Sequence, residues 1–575
     1  MTPADDAAVE PTVESAVPPP GDLSPSETGE YSHAQILTIL SGLMLGMFLA
    51  ALDQSIVGTA IRTIADDLNG LSVQAWVTTA YLITSTITTP IYGKLGDIYG
   101  RKKLFIFAIV VFIVGSFACS FAWSMTSLAA FRAFQGLGAG GLFTLVLAII
   151  GDIVSPRERA KYTGYFMAVF GTSSVLGPVI GGLFADASSI LGVTGWRWVF
   201  LVNVPIGIAA LAVVSRTLHL HHHRRESRID WWGASMLVVG LVPLLTVAEQ
   251  GRDWGWTSGR SVAAYVIGAV GLAGFVLVEK AMGDDALIPL RIFRIRTAAV
   301  VIASSVIIGA AMFGAITVLP QYMQIVHGAS PMTSGFMMLP MVAGIMSAAA
   351  SSGIITSKTG KIRKFPIIGT ALATVGLLLL SQVGADTSNV VVMLFMFILG
   401  FGLGNTMQPL TVIVQNAVPP QEIGVATSAA TFFRQIGGTL GVAVFLSVLF
   451  NGLGANIKDA IAKAVTTPAW QQAVQDPTVM ANPANKSLIE SLQNPASGGG
   501  FIDSVQNDSS VINRLGDVFA HPFKVGFAES MDQVFLMAGG VAVFAFLIVL
   551  LMPKIELRGQ SASAARAAAA AESAG

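Results

Sequence analysis

Fourteen long apolar runs divide this chain, and they constrain its fold more than any other feature. They lie near residues 36–60, 74–93, 103–123, 127–151, 161–184, 196–215, 232–249, 262–280, 298–320, 332–356, 365–383, 389–416, 424–450 and 533–552. A helix of about twenty apolar residues crosses a bilayer core, because it rises about 1.5 Å per residue across about 30 Å. With only 11% charged residues the chain could not cover a water-soluble surface. We therefore predict an all-α integral membrane protein of about 14 spans.

The Lys and Arg residues predict the orientation of these spans. Alternate short loops are basic, with the sequences GKLGDIYGRKK, SPRERAK, RTLHLHHHRRESR, EKAMGDDALIPLRIFRIR and SKTGKIRK. Cytoplasmic loops carry such an excess of cations. We therefore expect both termini in the cytoplasm and the long loop 451–532 outside. Within that loop, IKDAIAKAV and SSVINRLGDVFAHPF show helical spacing, so short amphipathic helices and a disordered connector are both open.

The two ends of the chain differ from the spans in composition. Residues 1–33 are acidic and rich in Pro and Ser, and they lack the basic and apolar regions of a secretory signal. We expect them to form a disordered cytoplasmic tail. Residues 553–575 are a second tail, of low-complexity Ala and Ser, to which we assign no function.

The chain contains an internal repeat at an offset of roughly 264 residues. The matched positions are Gly136, Gly138 and Gly140 with Gly400, Gly402 and Gly404; Val154, Pro156 and Glu158 with Val418, Pro420 and Glu422; Gly177 with Gly441; and Lys94 and Gly96 with Lys358 and Gly360. We therefore predict a bundle of six helices over 34–215, an inserted pair of helices over 216–297, and a second bundle over 298–552. Parallel repeats of this kind imply a substrate site between the halves and alternating access by rocking.

The loop after the second span, GKLGDIYGRKK, combines small residues with charges. Gly93 and Gly100 allow a tight turn and close helix approach, while Asp97 and Arg101 can form a charge network at the membrane edge. Such a network can latch one face of the protein. The alternative is a basic loop that only sets topology. At the repeat position Asp97 becomes Lys361, so we expect the latch to be asymmetric.

The fifth span contains the sequence GTSSVLGPVIGG. Pro178 removes a backbone hydrogen bond within the helix, and Gly177, Gly181 and Gly182 let another helix approach closely. The residues themselves indicate a hinge. Ordinary packing of small residues, without a role in transport, is the alternative.

Three charged residues lie deep inside predicted spans. An isolated charge at that depth costs several kcal/mol, so such residues normally face a cavity or a partner. Asp53 and Arg132 can form a pair in which the carboxyl binds and releases a proton. A permanent structural ion pair is the alternative. Arg434 has no evident acid beside it in the sequence, so backbone carbonyls and a functional partner are both open.

Five of these segments together resemble the successive signatures of the fourteen-span drug:proton antiporters of the EmrB/QacA type, in the major facilitator superfamily. They are LDQSIVGTAIRTIADDL, GKLGDIYGRKK, RAFQGLGAGG, GTSSVLGPVIGG and FFRQIGGTLGVAV, in that order. The resemblance covers the chain from the first span to the last. It leaves out the tails and much of the long loop.

The resemblance implies a major facilitator fold with two inserted helices, working as a plasma-membrane exporter driven by the proton gradient without a cofactor. It implies that Asp53 and Arg132 border a central cavity and that Asp97 faces a helix N-terminus near Gly424. It also identifies GTSSVLGPVIGG as the antiporter signature, from which Ser173 departs by replacing a glycine. The expected partners are protons, membrane lipid and an amphiphilic or cationic small molecule, handled by a monomer.

The second half departs from the best-known multidrug members because its cavity-lining spans offer no interior Asp or Glu. Thr317 stands at the repeat position of Asp53. Neutral groups must then supply most of the polarity of the cavity there. The predicted substrate-cavity residues are Gln321, Gln324, Asn405, Gln408, Gln415 and Arg434. Glu249 and Glu279 are weaker candidates than Asp53 for coupling.

Other classes of function find little support. A net charge of zero gives no indication of nucleic-acid binding. The histidines at 219 and 221–223 have no acid ligand nearby, so we expect a basic interfacial loop and no metal site. ATPase and serine-hydrolase motifs are absent from the sequence, and we expect no enzymatic activity. An exporter of a lipid or endogenous metabolite is the main alternative to drug export, and a channel is disfavoured by the internal repeat.

Overall fold

The computed structural model describes residues 31–68, 75–218, 229–493 and 509–557, which are almost entirely helical. The helices are α1 His33–Asp67, α2 Ala75–Tyr99, α3 Arg101–Ser120, α4 Met125–Ile153, α5 Pro156–Asp186, α6 Trp198–Leu201, α7 Asn203–Thr217, α8 Trp231–Trp254, α9 Gly259–Met282, α10 Arg296–Ile325, α11 Pro331–Met337, α12 Leu339–Thr359, α13 Lys364–Leu380, α14 Asn389–Ala417, α15 Ile423–Val465, α16 Pro468–Gln475, α17 Pro477–Met480, α18 Pro483–Gln493 and α19 Asp517–Leu550. A two-residue hairpin, β1 Ser189–Ile190 and β2 Val193–Thr194, precedes α6.

Every one of the predicted spans falls on a helix or on two consecutive helices. By length and composition, 11 helical segments in the described part of the chain could cross a membrane. The other three predicted spans correspond to α2, α5 and α13. The chain is therefore a multi-pass membrane protein, as its apolar runs predict.

The helices form two bundles, each with its own apolar interior. We call α1–α7 the N-terminal bundle, and α10–α15 with α19 the C-terminal bundle. The inserted helices α8 and α9 pack on each other, and α8 also contacts α2 and α15. Much of α9 is exposed, as expected of a helix that faces lipid.

The repeated glycines perform the same packing in both bundles. In the N-terminal bundle, side chains at Gly138 and Gly140 would collide with α3 and α2. In the C-terminal bundle, side chains at Gly402 and Gly404 would collide with α13 and α12. Small residues allow helix backbones to approach closely where lipid supplies no hydrophobic driving force. The sequence repeat thus corresponds to a repeat in helix packing.

The two ends of the bundles differ, and we name them by their connections. The basic face holds the turns between α2 and α3, α4 and α5, α12 and α13, and α14 and α15. The opposite end, the loop face, holds the long connection 451–532. This connection begins as an unbroken continuation of α15 to Val465, and Trp470 of α16 packs edge-on against Phe519 of α19 at 4.7 Å between ring centroids. Its described part is helical, so a wholly disordered connector is excluded for those residues.

Candidate functional site

A contact between the two bundles on the basic face involves Asp97. The Asp97 carboxylate accepts a hydrogen bond from the backbone N–H of Val425, at 3.0 Å, in the first turn of α15. Helix N-termini present free N–H groups and a partial positive charge, so they stabilise an anion there. A side chain at Gly424 would collide with the same carboxylate. The predicted contact between Asp97 and this helix N-terminus is therefore present.

Arg101 lies behind Asp97 and connects it to the end of α4. Its guanidinium donates to Asp97 at 2.7 Å and pairs with Asp152 at 2.7 Å, and it also donates to the Ala148 carbonyl. All three charged side chains are at least nine-tenths buried. Gly100, at φ 93°, adopts the left-handed conformation that the turn between α2 and α3 requires. Sequence reasoning missed Asp152, whose signal is an acid at the end of the long apolar run of α4.

Gly93 brings α2 directly against α15. A side chain at Gly93 would overlap Ser428 and approach the Gly424 carbonyl oxygen. About one turn before Gly93 on α2, Thr89 donates to Gln435 at 3.2 Å. The halves of α2 and α15 nearest the basic face therefore fit together closely, and Gly93 lies where the two helices are closest.

A second seal between the bundles centres on Gln415. Its amide oxygen accepts a hydrogen bond from Arg159 of α5, while its amide nitrogen donates to the Leu147 carbonyl at 3.1 Å and to Thr427 at 2.9 Å. Gln415 is 1% exposed. The structure thus places this predicted cavity residue inside the contact that closes the basic face. Arg159, which also binds the Val154 carbonyl, was not identified from the sequence.

The segment after the inserted helices ties both bundles together outside these seals. Arg291 pairs with Glu422, which directly precedes α15, and with Asp284 at 2.6 Å. Lys94 of the N-terminal bundle donates to the Asp284 carbonyl oxygen at 3.0 Å. Glu279 is buried and accepts the backbone N–H groups of Leu287 and Ile288, which fixes the start of this segment. Glu279 therefore performs a structural task at the basic face.

Asp53 and Arg132 form the predicted ion pair, at 2.6 Å, with the Asp53 carboxylate fully buried. Asp53 also accepts from Gln135 at 3.0 Å and from Asn203 at 2.7 Å. Arg132 donates to Gln135 and lies 4.0 Å above the centroid of the Tyr81 ring. Each of these partners belongs to the N-terminal bundle. The carboxylate is thus surrounded by donors from α4 and α7.

Sequence reasoning missed Gln135 and Asn203. Gln135 lies three residues after Arg132, which places both side chains on one face of α4. Asn203 is the only amide in the run FLVNVPIGIAALAVV, and it also donates to Ser116 of α3 at 2.9 Å. An isolated polar residue in an apolar span was the available signal for it.

The antiporter segment lies between α1 and the C-terminal bundle. Side chains at Gly177 and Gly181 would collide with Ser55 and Ile56 of α1, whereas one at Gly182 would meet open space. Pro178 lies inside α5, close to Gly335 of α11. Two of the three predicted glycines therefore permit close packing within the N-terminal bundle. The proline beside them lies next to the C-terminal bundle.

The other predicted cavity residues are spread along α10 and α14. Gln324 donates to Ser334 at 3.0 Å near the loop face, and Gln321 lies one turn before it, half-buried. Asn405 donates to a carbonyl of its own helix, and Gln408 is buried one turn further along α14. The structure does not gather these amides into one cluster with Gln415.

Arg434 is the remaining predicted cavity residue. It is 9% exposed, and its guanidinium donates to the Thr411 hydroxyl of α14 at 3.5 Å. Among the ion pairs of the described residues, none includes Arg434. This arginine therefore differs sharply from Arg132.

Tyr31 and His327, both outside the spanning helices, have displaced pKa values. Burial, and then the nearby Asp152 carboxylate, raise the pKa of Tyr31 to about 12, so its phenol stays neutral beside the basic-face network. Burial, and then the Lys524 charge, lower the pKa of His327 on the loop face. Both displacements favour the neutral side chain.

The described residues contain no group of His, Cys, Asp and Glu that could hold a metal ion. The histidines at 219 and 221–223 lie outside the residues that the structure describes, as does the side chain of Glu249.

Comparisons with known proteins agree with this geometry. The profile of the Major Facilitator Superfamily matches residues 43–442. The chain is 36% identical to the multidrug transporter protein MdtP of Bacillus subtilis, covering 75% of this chain and 78% of that protein. It is 32% identical to multidrug resistance protein 3 of the same species, covering 92% and 98%. It is also 34% identical to an uncharacterized MFS-type transporter of Mycobacterium tuberculosis, covering 90% and 70%.

Among solved structures, the proton:xylose symporter XylE superposes with a TM-score of 0.56 at 14% identity, covering 94% of this chain and 100% of that one. At this identity the likeness concerns the fold alone. It confirms the predicted major facilitator fold.

Proposed function

Because the chain belongs to the major facilitator superfamily and is a multidrug-efflux-like transporter, we propose that it exports amphiphilic or cationic small molecules in exchange for protons. The basic face is then cytoplasmic, and so are both termini, because cytoplasmic loops carry the excess of Lys and Arg. The loop face points outward from the plasma membrane. The chain works as a monomer and uses the proton gradient in place of a cofactor.

The observation that carries this proposal is the charged seal between the bundles on the basic face. Asp97 caps α15 across the junction, and Arg159 reaches Gln415 in the opposite bundle. These contacts are reversible, because water can replace the hydrogen-bond partners that each group loses when the bundles separate. Rocking about this junction would open a central cavity to the cytoplasm and close it on the other side.

Asp53 is our proposed proton carrier, with Arg132 as the group that controls it. A carboxylate at this depth favours the proton when it loses its charged partner, and releases the proton when the partner returns. Movement of α4 relative to α1 would change the Asp53–Arg132 distance. Gln135 and Asn203 hold the deprotonated carboxylate in the state described here.

Export of a lipid or an endogenous metabolite is the second candidate. The predicted cavity surface of the C-terminal bundle contributes neutral amides and one arginine, which offers a dication no carboxylate partner. A neutral or acidic amphiphile would suit that surface better.

Reconstitution in proteoliposomes tests the proposal. We expect an imposed pH gradient to drive the movement of at least one compound in a panel of amphiphilic small molecules. We expect Asp53→Asn to abolish gradient-driven accumulation while exchange of substrate for substrate continues. Uphill transport by a folded Asp53→Asn protein would exclude this residue as the carrier. Wild-type transport that does not depend on the imposed pH gradient would exclude proton coupling.

A further inference from the structure

Arg434 is a buried cation whose donors the protein leaves almost unused. A guanidinium has five N–H donors. The described structure gives this one a single hydrogen bond, at 3.5 Å, which is the weak limit of such an interaction. Thr411, the acceptor, is a neutral hydroxyl and does not compensate a charge.

Two other buried arginines in the bundles have several hydrogen-bond partners each. Arg132 has a carboxylate, an amide and an aromatic ring around it. Arg159 donates to an amide and two backbone carbonyls. Taking a charge out of water without such partners costs several kcal/mol. Among the described residues, Arg434 therefore has no oxyanion partner.

The position of Arg434 indicates where that oxyanion comes from. Thr427, which belongs to the Gln415 seal, lies seven residues before it on α15, so Arg434 lies roughly 10 Å above the seal toward the loop face. The adjacent Gln435 already contacts α2 of the opposite bundle. Arg434 thus lies beside the junction of the two bundles, above the closed basic face, where a transported molecule would rest.

We propose that Arg434 binds an acidic group, a carboxylate or phosphate, of the transported amphiphile. A guanidinium presents parallel N–H groups that match the two oxygens of such an anion, and the buried setting strengthens the bond. A cationic substrate would be repelled here. This inference rests on the proposed export function and narrows its substrates to amphiphiles that carry an acid.

Three probes with one ring system test the inference by their charge alone. They are 2-naphthoate, (2-naphthyl)methylammonium and 2-naphthalenemethanol. Binding to the purified full-length protein in neutral detergent is measured by calorimetry without any gradient, so the result does not depend on transport. We expect the wild type to bind 2-naphthoate about thirtyfold more tightly than the other two, as a buried charge pair warrants. Equal affinity for the acid and the ammonium would overturn the inference.

Variants then assign the preference to this side chain. Arg434→Gln should abolish the preference for the acid. Arg434→Lys should retain part of it, because lysine keeps the positive charge and lacks the paired N–H donors of the guanidinium. Thr411→Val removes the acceptor that Arg434 has among the described residues and should leave acid binding intact. Lys361→Gln makes the same change of charge at an exposed site and should bind as the wild type does. Undiminished acid binding by Arg434→Gln would contradict our assignment.

A lipid headgroup carries the same chemistry and is distinguished by competition. If the site serves a small transported acid, added phosphatidylglycerol should leave 2-naphthoate binding unchanged. If this lipid displaces 2-naphthoate from the wild type and no such displacement occurs in Arg434→Gln, the oxyanion belongs to a bilayer headgroup. That result would overturn the proposal that Arg434 binds the transported molecule. Loss of transport alone in Arg434→Gln, with binding preserved, would count against the inference and leave the proposed export function standing.

Discussion

The two bundles repeat each other in packing and differ in charge. In the N-terminal bundle, Arg132 is saturated by Asp53, Gln135 and the Tyr81 ring. In the C-terminal bundle, Arg434 has one neutral contact. Side chains of the protein compensate the charge of Arg132, whereas the charge of Arg434 has no carboxylate partner among the described residues. We infer that the halves divide the work, with protons handled on one side and substrate on the other.

The repeat positions show how that division arose within one architecture. The glycines that let helices approach are kept at both copies, because the helix packing depends on them. The carboxylates of Asp53 and Asp97 are not kept, although Lys94 and Glu158 recur as Lys358 and Glu422. Thr317, at the position of Asp53, donates to a carbonyl of its own helix, and Lys361, at the position of Asp97, is exposed.

The largest expected effect is on the Asp53 network. Asp53→Asn fixes the neutral form of this side chain, so we expect gradient-driven accumulation to vanish while the protein stays folded. A permanent structural ion pair would instead lose about 3–5 kcal/mol in the free energy of unfolding, because Arg132 would stay buried without its counter-charge. Thr317→Val at the repeat position should leave accumulation intact. Accumulation and denaturation measured on both purified variants separate these outcomes, and equal accumulation by the two would erase the contrast between the bundles in the interior of the membrane.

The next effect concerns the basic-face latch. Asp97→Asn removes the charge that caps α15 and pairs with Arg101, so we expect the closed basic face to lose about 1–3 kcal/mol relative to the open one. Transport should fall severely while the protein still inserts and folds. Lys361→Gln is the matched control in the other copy and should transport normally. A cysteine pair across α2 and α15, probed for cross-linking, reports the closure directly.

A smaller effect is expected at the inserted segment, where Arg291 bridges Asp284 and Glu422. This arginine is 41% exposed, so solvent screens its pairs. We expect Arg291→Ala to cost less than about 1 kcal/mol and to shift the balance slightly toward the open basic face. The same cross-linking assay measures it, with exposed Lys361→Gln for comparison. A loss as large as that of Asp97→Asn would show that this segment contributes as much to closing the basic face as the Asp97 network does.

The smallest loss is expected where a charge is removed from the C-terminal bundle. Arg434→Gln relieves an uncompensated buried cation, so without ligand we expect the free energy of unfolding to stay within about 0.5 kcal/mol of the wild type or to rise. Thermal denaturation in detergent tests this beside Asp53→Asn. A loss of several kcal/mol would mean that Arg434 is as well compensated as Arg132.

The sequence was sufficient for the features that depend on local composition and order along the chain. The spans follow from apolar length, and the two homologous halves follow from glycines such as Gly138 and Gly402, which recur at one offset. The contact of Asp97 with the start of α15 was also predicted, because the loop motif resembles that of a known family. Gln135, which hydrogen-bonds both Asp53 and Arg132, could have been found from its helical spacing to Arg132.

Only the tertiary structure decided which buried polar groups satisfy one another. Nothing in the sequence brings Asn203 to Asp53 or Arg159 to Gln415, since these pairs lie 150 and 256 residues apart in the chain. Gln415 and Arg434 looked alike as polar residues in apolar spans, yet one closes the junction and the other lacks a counter-charge. A span's apolar pattern determines that it enters the membrane, whereas the partner of each polar side chain is set by helix packing across the fold.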